Sequence, residues 1–136
     1  MEAKLQNKRP KHLNLFKIRQ PLPAVVSILH RISGALLFFP GIPLVLYSLQ
    51  TLLQSPQGFE AFQDCLRDPV IKVALLLPIW FFLHHLCAGI RHLALDLHIG
   101  VTLPQARMGS RLVVAAGILL TALIGAMLGQ SNPTVP

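Results

Sequence analysis

Four histidines stand close together between residues 84 and 98, in a stretch that is otherwise mostly apolar. His85 and His92 are seven residues apart, which puts them on one face of a helix, roughly 10 Å apart along its axis. Gly89 lies between them on the same face, whereas His84 is turned away by about 100°. A neutral imidazole in an apolar helix is a natural axial ligand for haem iron, and a glycine one turn away leaves room for a flat macrocycle. His85 is therefore the candidate ligand.

A second polar cluster lies at the start of the first apolar run. Ser27 and Arg31 are four residues apart and share a helix face, with His30 beside them. A serine hydroxyl can donate to a carbonyl oxygen, and a guanidinium presents a fixed fork to carboxylates. The cluster therefore suits an anionic or carbonyl-bearing ligand. The alternative is that Arg31 reaches lipid phosphates and Ser27 bonds its own helix carbonyl.

A six-coordinate haem needs a second axial donor. The last apolar run has no histidine, and we expect His30 to lie too shallow in the membrane to meet His85 across a ring. A second chain would then supply the other ligand and complete a helical bundle of which this chain is half. The alternative is that the imidazoles only hydrogen-bond to neighbouring helices. A zinc site is disfavoured because H-E-x-x-H and C-x-x-C are both missing from the sequence.

The elements that must position these residues are predicted from hydrophobicity. The chain has 136 residues, 53% hydrophobic and only 12% charged, against roughly 25% charged in a soluble domain. The apolar runs predict an all-α membrane protein whose transmembrane domain, residues 22–129, has three spans at about 22–53, 70–96 and 111–129. We also expect a bend near Pro40, a short amphipathic helix over residues 59–66 and a loop over residues 97–111.

Charge predicts the orientation of these spans. The net charge is +7, and the basic segment 1–21 holds six Lys or Arg against one acidic residue. The second loop is also basic, whereas the first loop has a net charge of −2 and the tail 130–136 is neutral. The positive-inside rule then places the N-terminus and second loop in the cytoplasm and the C-terminus in the periplasm. A bacterial inner membrane is favoured because no transit segment is recognisable. Such segregated charge disfavours nucleic acid as a partner.

Two motifs resemble those of a known family. The run S-I-L-H-R-I-S-G (27–34), following K-R-P-K-H-L-N-L (8–15), is similar to a signature of the succinate dehydrogenase cytochrome b556 subunits. The run H-x-x-x-G-I-R-H-L-x-x-D (85–96) resembles that family's second signature. The resemblance implies a membrane-anchor subunit of respiratory complex II, which serves the tricarboxylic acid cycle and aerobic electron transport and is not catalytic alone.

The resemblance also implies roles for particular residues. His85 matches the family's haem b axial ligand, the other histidine coming from a second small anchor subunit. Ser27 and Arg31 match quinone-site residues, and His30 and Arg31 match positions beside the haem propionates. The two anchors would hold an iron–sulfur subunit and a flavoprotein subunit at the cytoplasmic face, where ubiquinone is reduced. Two alternatives stay open: a haem-free structural anchor, and the anchor of a fumarate reductase-type complex.

Overall fold

The computed structural model describes residues 19–130, and all regular structure in this part of the chain is helical. The helices are α1 (Leu22–Leu36), α2 (Ile42–Gln54), α3 (Pro56–Arg67), α4 (Pro69–Asp96) and α5 (Leu103–Gln130), with a π-helical segment, Leu37–Gly41, between α1 and α2. Three described stretches are long and apolar enough to cross a membrane: Leu22–Gln54, Pro69–Asp96 and Leu103–Gln130. The prediction of an all-α membrane protein with three spans is confirmed. Most of the predicted basic segment 1–21 and of the tail 130–136 lies outside the described residues.

The first span changes its hydrogen-bonding pattern in the middle. Pro40 lies inside the π-helical segment Leu37–Gly41. Proline has no backbone N–H, and its ring collides with the carbonyl four residues earlier in a regular helix. A π turn adds one residue to the hydrogen-bonded ring, which separates the proline from that carbonyl. The disturbance expected near Pro40 therefore takes the form of a π turn within a continuous helical stretch.

The first connection is itself helical, as the sequence predicts for residues 59–66. Ser55 caps α3 by accepting a hydrogen bond from the Gly58 N–H at 3.0 Å. Asp68 caps α4 in the same way, accepting from the Val70 N–H at 2.7 Å. In both cases a proline follows the cap, where its missing N–H costs no hydrogen bond. These caps explain why two helices can follow each other so closely.

The prediction of a loop over residues 97–111 is wrong in its second half, because α5 begins at Leu103. The helix α4 ends in a Schellman turn: the N–H groups of His98 and Ile99 donate to the carbonyls of Leu95 and Ala94. His98 takes the left-handed conformation that this turn requires, with φ of 61°. The next helix then starts after Thr102, whose hydroxyl donates to Gln105 Oε1 at 2.7 Å.

The three spans meet through small side chains. Helix α4 packs against both α1 and α5, and α1 also contacts α5. The residues buried at these contacts are Val26, Ser33, His84, Ala88, Ser110, Val113 and Gly117. Most large apolar side chains of the described residues point outward instead, as Phe39 does with 73% exposure. In a bilayer these outer faces meet lipid tails or other membrane helices, so their exposure carries no penalty.

Candidate functional site

Three imidazoles from two helices come together where α1 crosses α4. The rings of His30 and His85 stack face to face, with centroids 4.2 Å apart and planes inclined by 15°. The ring of His92 lies 5.0 Å from that of His30. His85 is the seventeenth of the 28 residues of α4, about 17 Å along the helix from its end at Asp96. His85 therefore lies well inside the span, whereas His30 and His92 are the sequence neighbours of Arg31 and Arg91.

The depth of His30 differs from the sequence prediction. We expected His30 to lie too shallow to meet His85, and this expectation is wrong because the two rings are in direct contact. Helices α1 and α4 are staggered along their axes, and this stagger brings the rings of His30 and His85 to the same depth. Counting residues from the charged end of each helix does not reveal the stagger. Two rings stacked face to face at 4.2 Å leave no space for a porphyrin between them. The pair therefore cannot act as the two axial ligands of one iron in this arrangement.

The hydrogen bonds of His85 determine which of its nitrogens is free. His85 Nδ1 lies 3.0 Å from the His30 carbonyl oxygen and 3.2 Å from Ser33 Oγ. The Ser33 hydroxyl already donates to the same carbonyl oxygen at 2.9 Å. A carbonyl can only accept, so Nδ1 must carry the proton and donate it. In the neutral imidazole the opposite nitrogen, Nε2, then holds the lone pair, which is the state that a metal requires.

Gly34 leaves the space that the His85 ring occupies. A Cβ atom at this position would lie 2.8 Å from His85 Cε1 and 3.3 Å from Nδ1. Neither the ring nor the backbone could stay in place against such a contact. Neither Ser33 nor Gly34 is among the site residues predicted from the sequence. Both were visible as members of the cluster around His30, but their contact with α4 depends on how the two helices are rotated.

His84 lies in a different environment from His85. It is 1% exposed, stacks on Trp80 with centroids 5.3 Å apart, and backs onto Gly117 of α5. Its two ring nitrogens are buried near the Val26 backbone and make no hydrogen bond within residues 19–130. The side chain is therefore enclosed among the three spans. A haem could reach it only if those helices separated.

The predicted stripe of Ser27 and Arg31 lies on the outside of α1. Arg31 is exposed and Ser27 is half-buried. Within the described residues neither side chain makes a hydrogen bond or an ion pair. Both are therefore available to a ligand or to another subunit. On α4, Arg91 points the other way and packs near Gly109 of α5, so the structure does not bring Arg91 together with Arg31.

The space around Gly89 is open on the side of His30. A Cβ at Gly89 would meet only His30 Nε2, at 3.6 Å, which is an ordinary contact. Its predicted role in making room for a macrocycle stays a prediction.

A cavity of about 260 Å³ lies elsewhere, between the start of α4 and the end of α5, lined by Lys72, Leu76 and Gly125 among others. It is remote from the histidines and is not part of the candidate site.

Comparison with known proteins agrees with this arrangement of helices. The family model for the succinate dehydrogenase/fumarate reductase transmembrane subunit matches residues 6–124. A succinate dehydrogenase cytochrome b556 subunit from Coxiella burnetii is 38% identical over 119 residues, which cover 87% of this chain and 94% of the relative. The subunits of the same name from Rickettsia felis and Paracoccus denitrificans are each 32% identical, covering 90% and 82% of this chain and 95% and 84% of the relatives. The chain belongs to the family of succinate dehydrogenase/fumarate reductase transmembrane subunits, the non-catalytic membrane anchors of these complexes.

Proposed function

We propose that this chain is the cytochrome b anchor of a succinate:quinone oxidoreductase, and that His85 is one axial ligand of a haem b. The observation that carries the proposal is the hydrogen-bonded state of the ring: Nδ1 donates to the His30 carbonyl, so Nε2 holds a lone pair deep in the apolar span. In histidines that bind a metal, the ring nitrogen that faces away from the metal commonly donates its hydrogen to a carbonyl or carboxylate oxygen. The donor set therefore fits a haem. When bound, the haem supplies a one-electron redox centre within the membrane.

The second axial ligand would come from a second small anchor subunit. The third span contains no histidine, and His30 is held in a stack against His85 rather than opposite it. Three helices also leave most of their large apolar side chains exposed. A partner that contributes its own helices would cover part of this surface and enclose the haem. The names of the relatives, which are cytochrome b556 subunits of succinate dehydrogenase, support the presence of a haem b.

Ser27 and Arg31 would form this chain's share of the ubiquinone site. Ubiquinone is an apolar molecule with two carbonyl oxygens, so it needs an apolar entry and a few donors at the membrane edge. The Ser27 hydroxyl and the Arg31 guanidinium are both available for donation on one face of α1. Arg31 would also stabilise negative charge that develops on a quinone oxygen during reduction. Arg31 would pair with the haem propionates, which bear the opposite charge, and His30 would lie beside them.

The remaining partners would dock at the basic end of the bundle. We place the N-terminus and the turn between α4 and α5 in the cytoplasm of a bacterium, and the C-terminus in the periplasm. Four arginines lie at that end of the described helices: Arg31, Arg91, Arg107 and Arg111. The iron–sulfur subunit would approach this face and deliver electrons from the flavoprotein subunit, which oxidises succinate.

The test compares two neighbouring histidines in the purified complex. His85→Ala should abolish or strongly disturb the low-spin haem absorption and electron paramagnetic resonance (EPR) spectra, because the iron loses a ligand. His84→Ala is the matched control, since it removes an adjacent imidazole that stacks on Trp80, whereas His85 stacks on His30. A normal haem spectrum in His85→Ala would overturn the assignment. A normal spectrum in that variant together with a changed one in His84→Ala would move the ligand to His84. A wild-type complex without a Soret band would indicate a haem-free anchor.

A further inference from the structure

We infer that Ser33 is a positioning residue for His85, one that fixes the tautomer and the plane of this imidazole. The inference rests on the proposed role of His85 as a haem ligand and adds a residue to which the sequence assigned no role. Ser33 is completely buried on α1, and its Oγ lies 3.2 Å from His85 Nδ1 across the interface between α1 and α4. It is thus one of the few polar groups enclosed between these two helices.

The hydrogen-bond inventory shows what this contact does. The Ser33 hydroxyl spends its one proton on the His30 carbonyl, at 2.9 Å. Its oxygen can then only accept from His85, so Nδ1–H faces two acceptors, Ser33 Oγ and the His30 carbonyl oxygen. In the other tautomer an unprotonated Nδ1 would face the lone pairs of the His30 carbonyl oxygen at 3.0 Å, and Ser33 could donate to Nδ1 only by giving up its hydrogen bond to that carbonyl. Either arrangement leaves fewer favourable hydrogen bonds than the tautomer protonated at Nδ1, which is therefore the more stable one.

The same group of residues also limits rotation of the ring. The Nδ1 side of the imidazole is held by Ser33 and the His30 carbonyl, and one face is covered by the His30 ring. The Cε1 atom lies against Gly34, where even a methyl group would come within 2.8 Å. The ring plane is therefore set by α1, although the ligand itself belongs to α4. Hydrogen bonding to the far nitrogen of an axial histidine is one of the means by which a protein tunes a haem.

The experiment measures the haem in the assembled complex that carries Ser33→Ala. We expect haem content close to wild type, together with a displaced largest g value in the low-spin EPR spectrum and a displaced midpoint potential. The control is Ser110→Ala, because Ser110 is equally buried and also donates to a carbonyl of its own helix, that of Ala106 at 2.8 Å. Ser110 makes no hydrogen bond to an imidazole within residues 19–130, so this control should keep the wild-type g value and potential.

Each outcome decides the matter. Ser33→Ala with the g value and potential of wild type and Ser110→Ala would overturn the positioning role. If Ser33→Ala fails to assemble, Ser33→Cys replaces it, with Ser110→Cys as its control, because a thiol is a much weaker donor and acceptor in a similar volume. An unchanged haem in Ser33→Cys would again overturn the role. Failure of the proposed function is recognised separately, since it leaves His85→Ala with an intact haem spectrum.

Discussion

Arg31 is an exposed guanidinium on a helix that otherwise enters the membrane with few polar groups. If it donates to ubiquinone, Arg31→Ala should lower succinate–quinone reductase activity by about 10- to 100-fold, since a hydrogen bond to a charged group contributes roughly 1.5–3 kcal/mol. Succinate oxidation with a soluble dye should survive, because that reaction bypasses the membrane site. Measuring both activities in membranes separates the two steps.

The control for this substitution is Arg107→Ala. Arg107 is also exposed and lies toward the same end of the bundle, but on α5. Arg107→Ala removes the same charge from the same end of the bundle without changing α1. Both activities of this variant should stay near wild type, because the docking face keeps its three other arginines. Equal loss of the dye-linked and quinone-linked activities in Arg31→Ala would mean that this arginine supports assembly and not quinone reduction.

At the level of single residues, the sequence predicted the candidate ligand His85 but not the residues of α1 that contact its ring. The spacing of His85, Gly89 and His92 follows from helix geometry within one element, so it can be read directly. The contact between Ser33 and His85 joins residues 52 positions apart, and it depends on the rotation and stagger of two helices. The same missing information led to the wrong depth for His30.

Helix α5 packs against α4 through glycines. A Cβ at Gly117 would lie 3.7 Å from the His84 Cα, and one at Gly125 would lie 3.2 Å from Leu76 Cδ2. Gly117→Leu should therefore push the helices apart and destabilise the bundle by about 1–3 kcal/mol, the usual cost of overpacking. The measurement is the temperature at which the purified complex loses its anchor subunits.

Gly129→Leu is the matched control for this element. A Cβ at Gly129 meets nothing within 4 Å among the described residues, although the residue belongs to the same helix. Its dissociation temperature should stay near wild type. Equal destabilisation by both substitutions would argue against a close seam at Gly117 and for a general intolerance of leucine in α5.

The sequence predicted only some of the helix boundaries. The caps at Ser55 and Asp68 are followed by proline, and they mark the starts of α3 and α4 clearly in the sequence. The loop predicted over residues 97–111 ends at a charged residue, Arg111, whereas α5 begins eight residues earlier, at Leu103. The missed signal was Thr102 followed three residues later by Gln105, the pattern of a capping box. Charge marks the edge of a membrane, and a helix can extend beyond that edge.

The orientation of the whole molecule in the membrane can be tested with one native cysteine. Cys65 is an exposed free cysteine on α3, at the end of the bundle opposite Arg31, Arg91, Arg107 and Arg111. In a Cys87→Ser background, a membrane-impermeant maleimide added to intact spheroplasts should label Cys65. The proposed orientation places α3 in the periplasm, where this reagent has access.

Val101→Cys, in a chain that also lacks Cys65 and Cys87, provides the control from the other side. Val101 is 56% exposed in the turn between α4 and α5, and its thiol should react only in inverted membrane vesicles. The reverse pattern, with Val101→Cys labelled in spheroplasts and Cys65 protected, would invert the proposed topology. It would leave the assignment of the helices unchanged.

The scarcity of buried side chains has a consequence for the cell. Only seven of the described residues are buried, and three of these have polar side chains: Ser33, His84 and Ser110. A chain with so few buried residues depends for its stability on contacts with the other subunits of the complex. We expect newly made copies that find no neighbour to be cleared by membrane quality-control proteases, so that the supply of the other subunits of the complex sets how much of this chain accumulates.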